Sequence, residues 1–289
     1  MLSVILCTNF VNLIFFKFVS MPTYLFLFFI ICLPSGIMAG NLLENNKDLQ
    51  QIENKYNLNL IADSFAGGDY AKNWAFWITP TDADSILFAE FMDVFAYEWN
   101  KYPLSWIKVN GLRGIAFVKN LTVTGQERFA MPDPYDETLY YDIDYLRYGE
   151  DYVSEMIHHE FWHMIEEQHF GTMYYRSTTW QSFNRSGFQY GNGGSDAYTD
   201  GEYTDGEHTK LGFVTNYAMY GEEEDRAETY CWFFTNRTWT LLNKWISTDR
   251  LLKKKFNWML NFMESKVPEM NFEYFEAINK AKVSLPLNK

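Results

Sequence analysis

The chain has 289 residues, 19% of them aromatic, and a net charge of −13. That is enough length for one large domain with a sizeable core, and too much aromatic content for a disordered tail or a solenoid. The acidity disfavours nucleic acid as a partner, because a phosphate backbone calls for a basic stripe. The cationic cluster Lys253-Lys254-Lys255 reads instead as the solvated face of an amphipathic helix.

Two apolar stretches lead the chain. The second, MPTYLFLFFIICLPSGIMAG from Met21, has the plan of a secretory signal, with an apolar core of about ten residues, a Pro-Ser-Gly break and a small residue at Ala39. Residues 22–34 are short for a span of about 20 residues. Secretion is therefore expected, with a membrane anchor through residues 22–39 as the alternative and Met21 as an alternative start. Cys7 and Cys32 lie in this region, so the mature chain would hold only Cys231 and no internal disulfide. Cys231, in the run Tyr-Cys-Trp-Phe-Phe, reads as a small buried hydrophobe. Asn120, Asn184 and Asn236 head glycosylation sequons.

Residues 41–60 predict a leading helix. From Thr81 the segment TDADSILFAEFMDVFAYEWNKYP opens with capping residues and repeats apolar groups at helical spacing until Pro103 stops it. Short β-rich runs follow at Trp106–Val109, Gly114–Val118 (GIAFV), Leu121–Val123 and Leu139–Ile143. A helix is expected from about Asp151. Residues 171–210 lack periodicity and end in a duplicated YTDGE at 198–202 and 203–207. The acidic stretch 191–210 reads as a solvated loop, since its spacing is not that of a helix–loop–helix calcium site, although calcium is a conceivable ligand. Three helices close the chain, over about 222–236, 239–265 and 268–282. No composition change resembling a linker follows residue 40, so residues 40–289 read as one domain of α+β type.

The stretch IHHEFWHMIEEQH, residues 157–169, carries the chemistry. His159-Glu160-Phe161-Trp162-His163 is an H-E-x-x-H motif. Residues four apart on a helix differ by roughly 40° around the axis, so both imidazoles can reach one ion. Glu160, about 100° from His159, flanks the pair where it can hold a water. Val153, Met156, Ile157, Phe161 and Met164 would dock the helix into the core. A hydrolytic zinc takes three protein ligands and a water, so a third ligand is owed.

Two candidates present themselves. His169 has the metzincin spacing, six residues after His163. That clan bends its chain at a midway glycine, and here the position is Glu166 in a helix-forming run. If the helix continues, His169 lies about 120° away. The other candidate comes from GFVTNYAMYGEEEDRAE, residues 212–228. Glu224 and Glu228 share a helical face, so one can bind zinc while the other receives an N–H from a ligating histidine. Tyr217 stands just ahead of that helix, where a phenol could reach a substrate carbonyl. A structural four-ligand zinc with His158 or His169 as the spare would instead make a non-catalytic secreted binding protein.

HHEFWH followed by GFVTNYAMYGEEEDRAE resembles the zinc-binding metallopeptidases of the gluzincin type, and more distantly the catalytic domain of anthrax lethal factor. In those proteins Tyr-x6-Glu-x3-Glu follows the H-E-x-x-H helix. The resemblance implies a zincin-like fold, with a small mixed sheet beside the active-site helix and a helical C-terminal part. It implies a Zn²⁺-dependent peptidase acting on peptide or protein substrates. His159, His163 and Glu224 would be ligands, Glu228 the carboxylate behind a ligating histidine, Glu160 the general base and Tyr217 a catalytic phenol. Arg226 is a further candidate for steadying an oxyanion. The family often has Asn where this chain has Gly221. The strand GIAFV would be buried or would pair with an extended peptide by edge addition.

Overall fold

The structure, a computed structural model, describes residues 42–43, 46–194 and 211–280. The chain divides into two units, residues 1–36 and 37–289, and the described residues all lie in the second. The expected signal or anchor and the duplicated YTDGE with its calcium question fall outside the described residues. Among those described, no helix is long and apolar enough to cross a membrane.

Asn46 opens helix α1 (Lys47–Tyr56) by accepting the N–H groups of Asp48 and Leu49, each at 3.1 Å. Strand β1 (Asn59–Ile61), helix α2 (Asp69–Trp74) and strand β2 (Ala75–Ile78) follow. Thr81 and Asp84 form a capping box. They cap a 3-10 turn over Asp82–Asp84, and α3 (Ser85–Trp99) starts after it. The run expected as a strand at 106–109 is helical, as α4 (Leu104–Val109). Its β-branched and aromatic content misleads because tertiary burial decides the conformation. Trp106 is fully buried, and its indole donates to the Tyr230 hydroxyl at 2.9 Å.

The two runs at 114–118 and 121–123 form one strand, β3 (Gly114–Val123). Strands β4 (Gln126–Glu127), β5 (Ala130–Asp133) and β6 (Thr138–Asp142) come next. The helices that follow are α5 (Glu150–Phe170), α6 (Thr178–Gln181), α7 (Glu222–Cys231), α8 (Asn236–Ile246), α9 (Arg250–Lys266) and α10 (Phe272–Lys280). The helix expected over 239–265 is broken in two at Asp249. That side chain accepts N–H groups from Leu251 and Leu252, and a third from Gly212.

The sheet is mixed, in the order β1-β3-β6-β5. β1 and β6 run parallel to β3, and β5 runs antiparallel to β6. β2 and β4 pair with the C-terminal half of β3. The strand GIAFV is therefore central, flanked on both sides, and its continuous apolar run is that of a fully buried strand. The edge is β5.

Helices α3 and α5 cover one face of the sheet, where Phe88, Phe91 and Phe95 meet Phe117. The other face packs Ala116, Val118, Met131 and Tyr140. The Tyr141 hydroxyl donates to the carbonyl of Ile157 at 2.9 Å, fixing α5 to the sheet two residues before His159. Helices α7 and α9 pack behind α5 through aromatic contacts, Trp162 on Tyr230 and on Phe262. Lys255 departs from the expected solvated lysine face. It is fully buried, with Nζ 2.6 Å from Asp225 and 3.6 Å from the centre of the Phe213 ring.

Candidate metal centre

Helix α5 runs through its H-E-x-x-H motif without interruption and ends at Gly171, whose φ of 76° is the left-handed stop that glycine accommodates. Its buried face carries Val153, Ile157, Phe161 and Met164, while Met156 is only half-buried and faces the cleft. His159 and His163 lie on one side, edge to face, their ring centres 5.2 Å apart. Because the helix never bends at Glu166, His169 stays on another face and its Nε2 bonds Asn110 Oδ1 at 2.9 Å. The metzincin geometry is thereby excluded. His158 points away as well, with Nε2 2.7 Å from Glu98 and Nδ1 2.5 Å from the Tyr102 hydroxyl. Neither histidine is placed to complete a four-ligand site.

The third group comes from α7. Glu224 Oε2 lies 3.1 Å from His159 Nε2 and 3.8 Å from His163 Nε2. One ligand atom from each of the three residues falls within 4.8 Å of the others. Zinc–ligand bonds of about 2.05 Å in tetrahedral geometry separate ligand atoms by about 3.4 Å, and the two measured separations straddle that value. The donor set, two imidazoles and one carboxylate, suits zinc.

Electrostatics favour a cation at this spot. Burial disfavours the charged form of His159, but its hydrogen bonds to Cys231, Glu224 and Glu228 outweigh that and hold its pKa well above the usual imidazole range. Glu224 is likewise buried, yet His159, His163 and the Tyr217 hydroxyl keep it below the ordinary carboxylate value. His163, desolvated and beside His159, falls to about 4. The pocket thus draws in positive charge while leaving one imidazole with its lone pair available.

The surroundings orient these groups. Glu228 Oε1 lies 2.8 Å from His159 Nδ1, and its other oxygen accepts the Thr215 hydroxyl at 2.7 Å. Tyr217 begins the 3-10 turn Tyr217–Met219 just before α7, with its ring 5.9 Å from that of His159. Gly194 is pressed against both: a Cβ there would collide with the Tyr217 hydroxyl and the Glu224 carboxylate. Cys231 is buried behind Glu228, and burial together with that carboxylate pushes its thiol up, so it stays protonated. Glu160 lines the cleft, and burial raises its carboxyl to about 7.

Arg226 is not available to a substrate. It is fully buried, donating to Glu166 on α5, to Glu222 at 2.6 Å and to the Tyr175 carbonyl. Sequence reasoning missed this clamp, and it missed Thr215. The acidic run opening α7 is almost wholly committed. Glu222 and Asp225 hold buried partners, including Ser177 N–H and Trp180 Nε1, and Glu223 pairs with Arg176 at 2.9 Å.

In front of these groups lies a cleft of about 660 Å³, bounded by α5, by β5 and by the segment around Tyr174. Asp142 N–H donates to the Phe129 carbonyl at 2.8 Å, and Ala130 stands opposite Tyr141 in the register. Bonds alternate along an antiparallel ladder. The N–H and C=O of Ala130 therefore turn away from β6, toward the free side of the edge strand. Pro132, the next residue of that parity, offers only its carbonyl there.

Residues 133–268, just under half of the chain, match the family model described as "Putative zinc-binding metallo-peptidase". All six groups named above as ligand, base, phenol or supporting carboxylate fall inside the match. A crystal structure of a protein described in the same words, from Bacteroides caccae, is 15% identical to this chain. That likeness covers 80% of this chain and 87% of that one, with a TM-score of 0.46. No curated protein matches the chain.

Proposed function

We propose that the protein is a zinc-dependent peptidase of the gluzincin type, with His159, His163 and Glu224 holding the metal. One observation carries the reading: donors from α5 and α7 converge within 4.8 Å at the floor of a cleft that also contains Glu160 and an open strand edge. The family match over residues 133–268 supports it.

A zinc ion in this donor set supplies a Lewis acid that polarises the scissile carbonyl and acidifies water. The chain's own residues do the rest. An extended peptide pairs antiparallel with β5, exchanging both bonds of Ala130 with one substrate residue. Glu160 takes a proton from the attacking water and hands it to the amine nitrogen as the C–N bond breaks. Its raised pKa suits a group that must both accept and release a proton. The Tyr217 hydroxyl donates to the oxygen that gains negative charge. Glu228 accepts the Nδ1 proton of His159, which fixes the tautomer that leaves Nε2 unprotonated for the metal. The leading apolar segment directs the domain out of the cytoplasm, or tethers it to a membrane if it is not removed.

The test is metal analysis of purified residues 40–289 alongside a peptide-library digest. One zinc per chain and cleavage abolished by a chelator are expected. A metal-free protein that cleaves, or a zinc protein that leaves every peptide intact, overturns the reading.

A further inference from the structure

Residues 190–194 (YGNGG) form a strap along the turn that carries Tyr217. The Gly191 amide donates to the Met219 carbonyl at 3.0 Å, and the Gly193 amide to the Tyr220 carbonyl at 2.7 Å. Both carbonyls lie at the end of the 3-10 turn, just ahead of α7. The absence of side chains permits the approach. A Cβ on Gly191 would stand 3.2 Å from the Tyr220 carbonyl oxygen, and Gly194 already presses on the Tyr217 hydroxyl and the Glu224 carboxylate. Asn192, Gly193 and Gly194 line the cleft beside Tyr217.

One end of the strap is tied to a buried charge. The Tyr190 hydroxyl donates to Asp225 Oδ2 at 2.5 Å and accepts from the Asn184 side chain at 2.9 Å. Burial and Asp225 push the phenol's pKa up, so it keeps the proton it donates. Asp225 is fully buried, and the same oxygen takes the Trp180 indole N–H of α6 at 2.8 Å and faces Lys255 Nζ of α9 at 2.6 Å. Helices α6 and α9 thus fix the anchor on α7, and a hydrogen bond to a charged group is a strong one. Asp225 follows Glu224 directly in the chain, so the anchor and the metal donor share one backbone. Tyr217, by contrast, begins a three-residue 3-10 turn, a form with weaker hydrogen-bond geometry than an α-helix.

We propose that Tyr190 is a positioning residue: its bond to Asp225 holds the strap on the Met219 and Tyr220 carbonyls, and the strap holds the Tyr217 phenol where the oxyanion forms. This rests on the reading of the cleft as a peptidase site with Tyr217 as its phenol. Tyr190 is not among the residues that line the cleft, so its effect on the reaction passes through Gly191–Gly194. An oxyanion donor must stand within hydrogen-bond reach of the oxygen as its charge develops. A misplacement of about 1 Å can cost roughly 100-fold in rate.

The experiment compares the wild type, Tyr190→Phe, Tyr217→Phe and the double variant on the best-cleaved peptide of the library digest, with zinc content measured for each. Tyr190→Phe removes only the hydroxyl and keeps the ring that packs edge to face on Phe188 and Phe213. Its kcat per bound zinc should fall roughly tenfold to hundredfold, with KM within about twofold of the wild type. In the Tyr217→Phe background the same change should cost less than about twofold, because the group it positions is already gone. Amide hydrogen exchange of the same zinc-loaded proteins needs no turnover. Gly191 and Gly193 should exchange at least about tenfold faster in Tyr190→Phe, while the amides of α5 keep their wild-type rates. Wild-type kcat per zinc in Tyr190→Phe overturns the positioning role, and so does a loss of activity explained by lost zinc alone. Effects that multiply in the double variant overturn it too, as do strap amides protected as in the wild type. A wild type that cleaves no peptide overturns the peptidase reading and the positioning role together. A cleaving wild type with an indifferent Tyr190→Phe overturns the positioning role alone.

Discussion

The Glu228 carboxylate approaches His159 from the ring edge opposite to the one that faces Glu224, at 2.8 Å from Nδ1. The histidine is thereby held between two carboxylates on one helix, α7, one turn apart. Replacing Glu228 by Gln keeps the shape and removes the charge that fixes the His159 tautomer. Zinc affinity should fall roughly 10- to 100-fold, read by competition with a chromophoric chelator. An unchanged affinity would mean that His159 needs no such partner.

Glu160→Gln should separate binding from chemistry. The amide cannot accept a proton, so turnover should drop by roughly 10²- to 10⁴-fold while the zinc content stays that of the wild type. Retained turnover removes the general-base role.

Glu166 and Arg226, both fully buried, tie α5 to α7 one turn beyond His163. Removing one partner of a buried ion pair strands the other charge in the interior. Glu166→Ala should therefore cost about 3–5 kcal/mol of stability, measured by urea denaturation of the metal-free protein. A variant as stable as the wild type would show that the remaining Glu222 suffices for Arg226.

Gly194→Ala introduces a methyl group where Tyr217 and Glu224 already sit. The backbone or both side chains must move, so zinc binding and turnover should decline together. Wild-type values for both in Gly194→Ala would show that the segment yields freely.

Asp142 gives a pH signature away from the metal. Burial raises its carboxyl to about 6, although it accepts N–H groups from Leu121 at 2.8 Å and Asp144 at 2.9 Å. An unfolded aspartate titrates near 3.9. Between those values the folded state holds the extra proton, so this contribution is full below about 4 and is lost as pH rises through about 6. The stability of the wild type relative to Asp142→Asn should decline across that window and level off above it, in denaturation series from pH 4 to 8. A difference independent of pH would contradict the buried assignment.

The parts of this site legible in the sequence are those set by local spacing. His159 and His163 share a face because they are four apart, and so do Glu224 and Glu228. What was hidden depends on partners far along the chain. Lys255 looks like a solvated charge in KKK and Arg226 like a group for an oxyanion, and only Asp225 and Glu166, the latter 60 positions from Arg226, reveal that they are interior. The edge strand AMPD was missed for a related reason. Four residues with a proline carry no period-2 pattern, and their strand character comes from pairing with β6. Leu104–Val109 failed the other way, since its residue types suit strands but its place against Tyr230 calls for a helical turn.

Pro132 has a consequence beyond substrate register. A sheet margin left open for a visiting peptide is equally open to the same margin on a second copy, and such pairing propagates into aggregates. With no amide hydrogen at Pro132, two copies meeting along β5 forfeit a rung of the ladder. If the cleft takes peptides as proposed, the strand can pair briefly with single chains while remaining a poor template for its own kind.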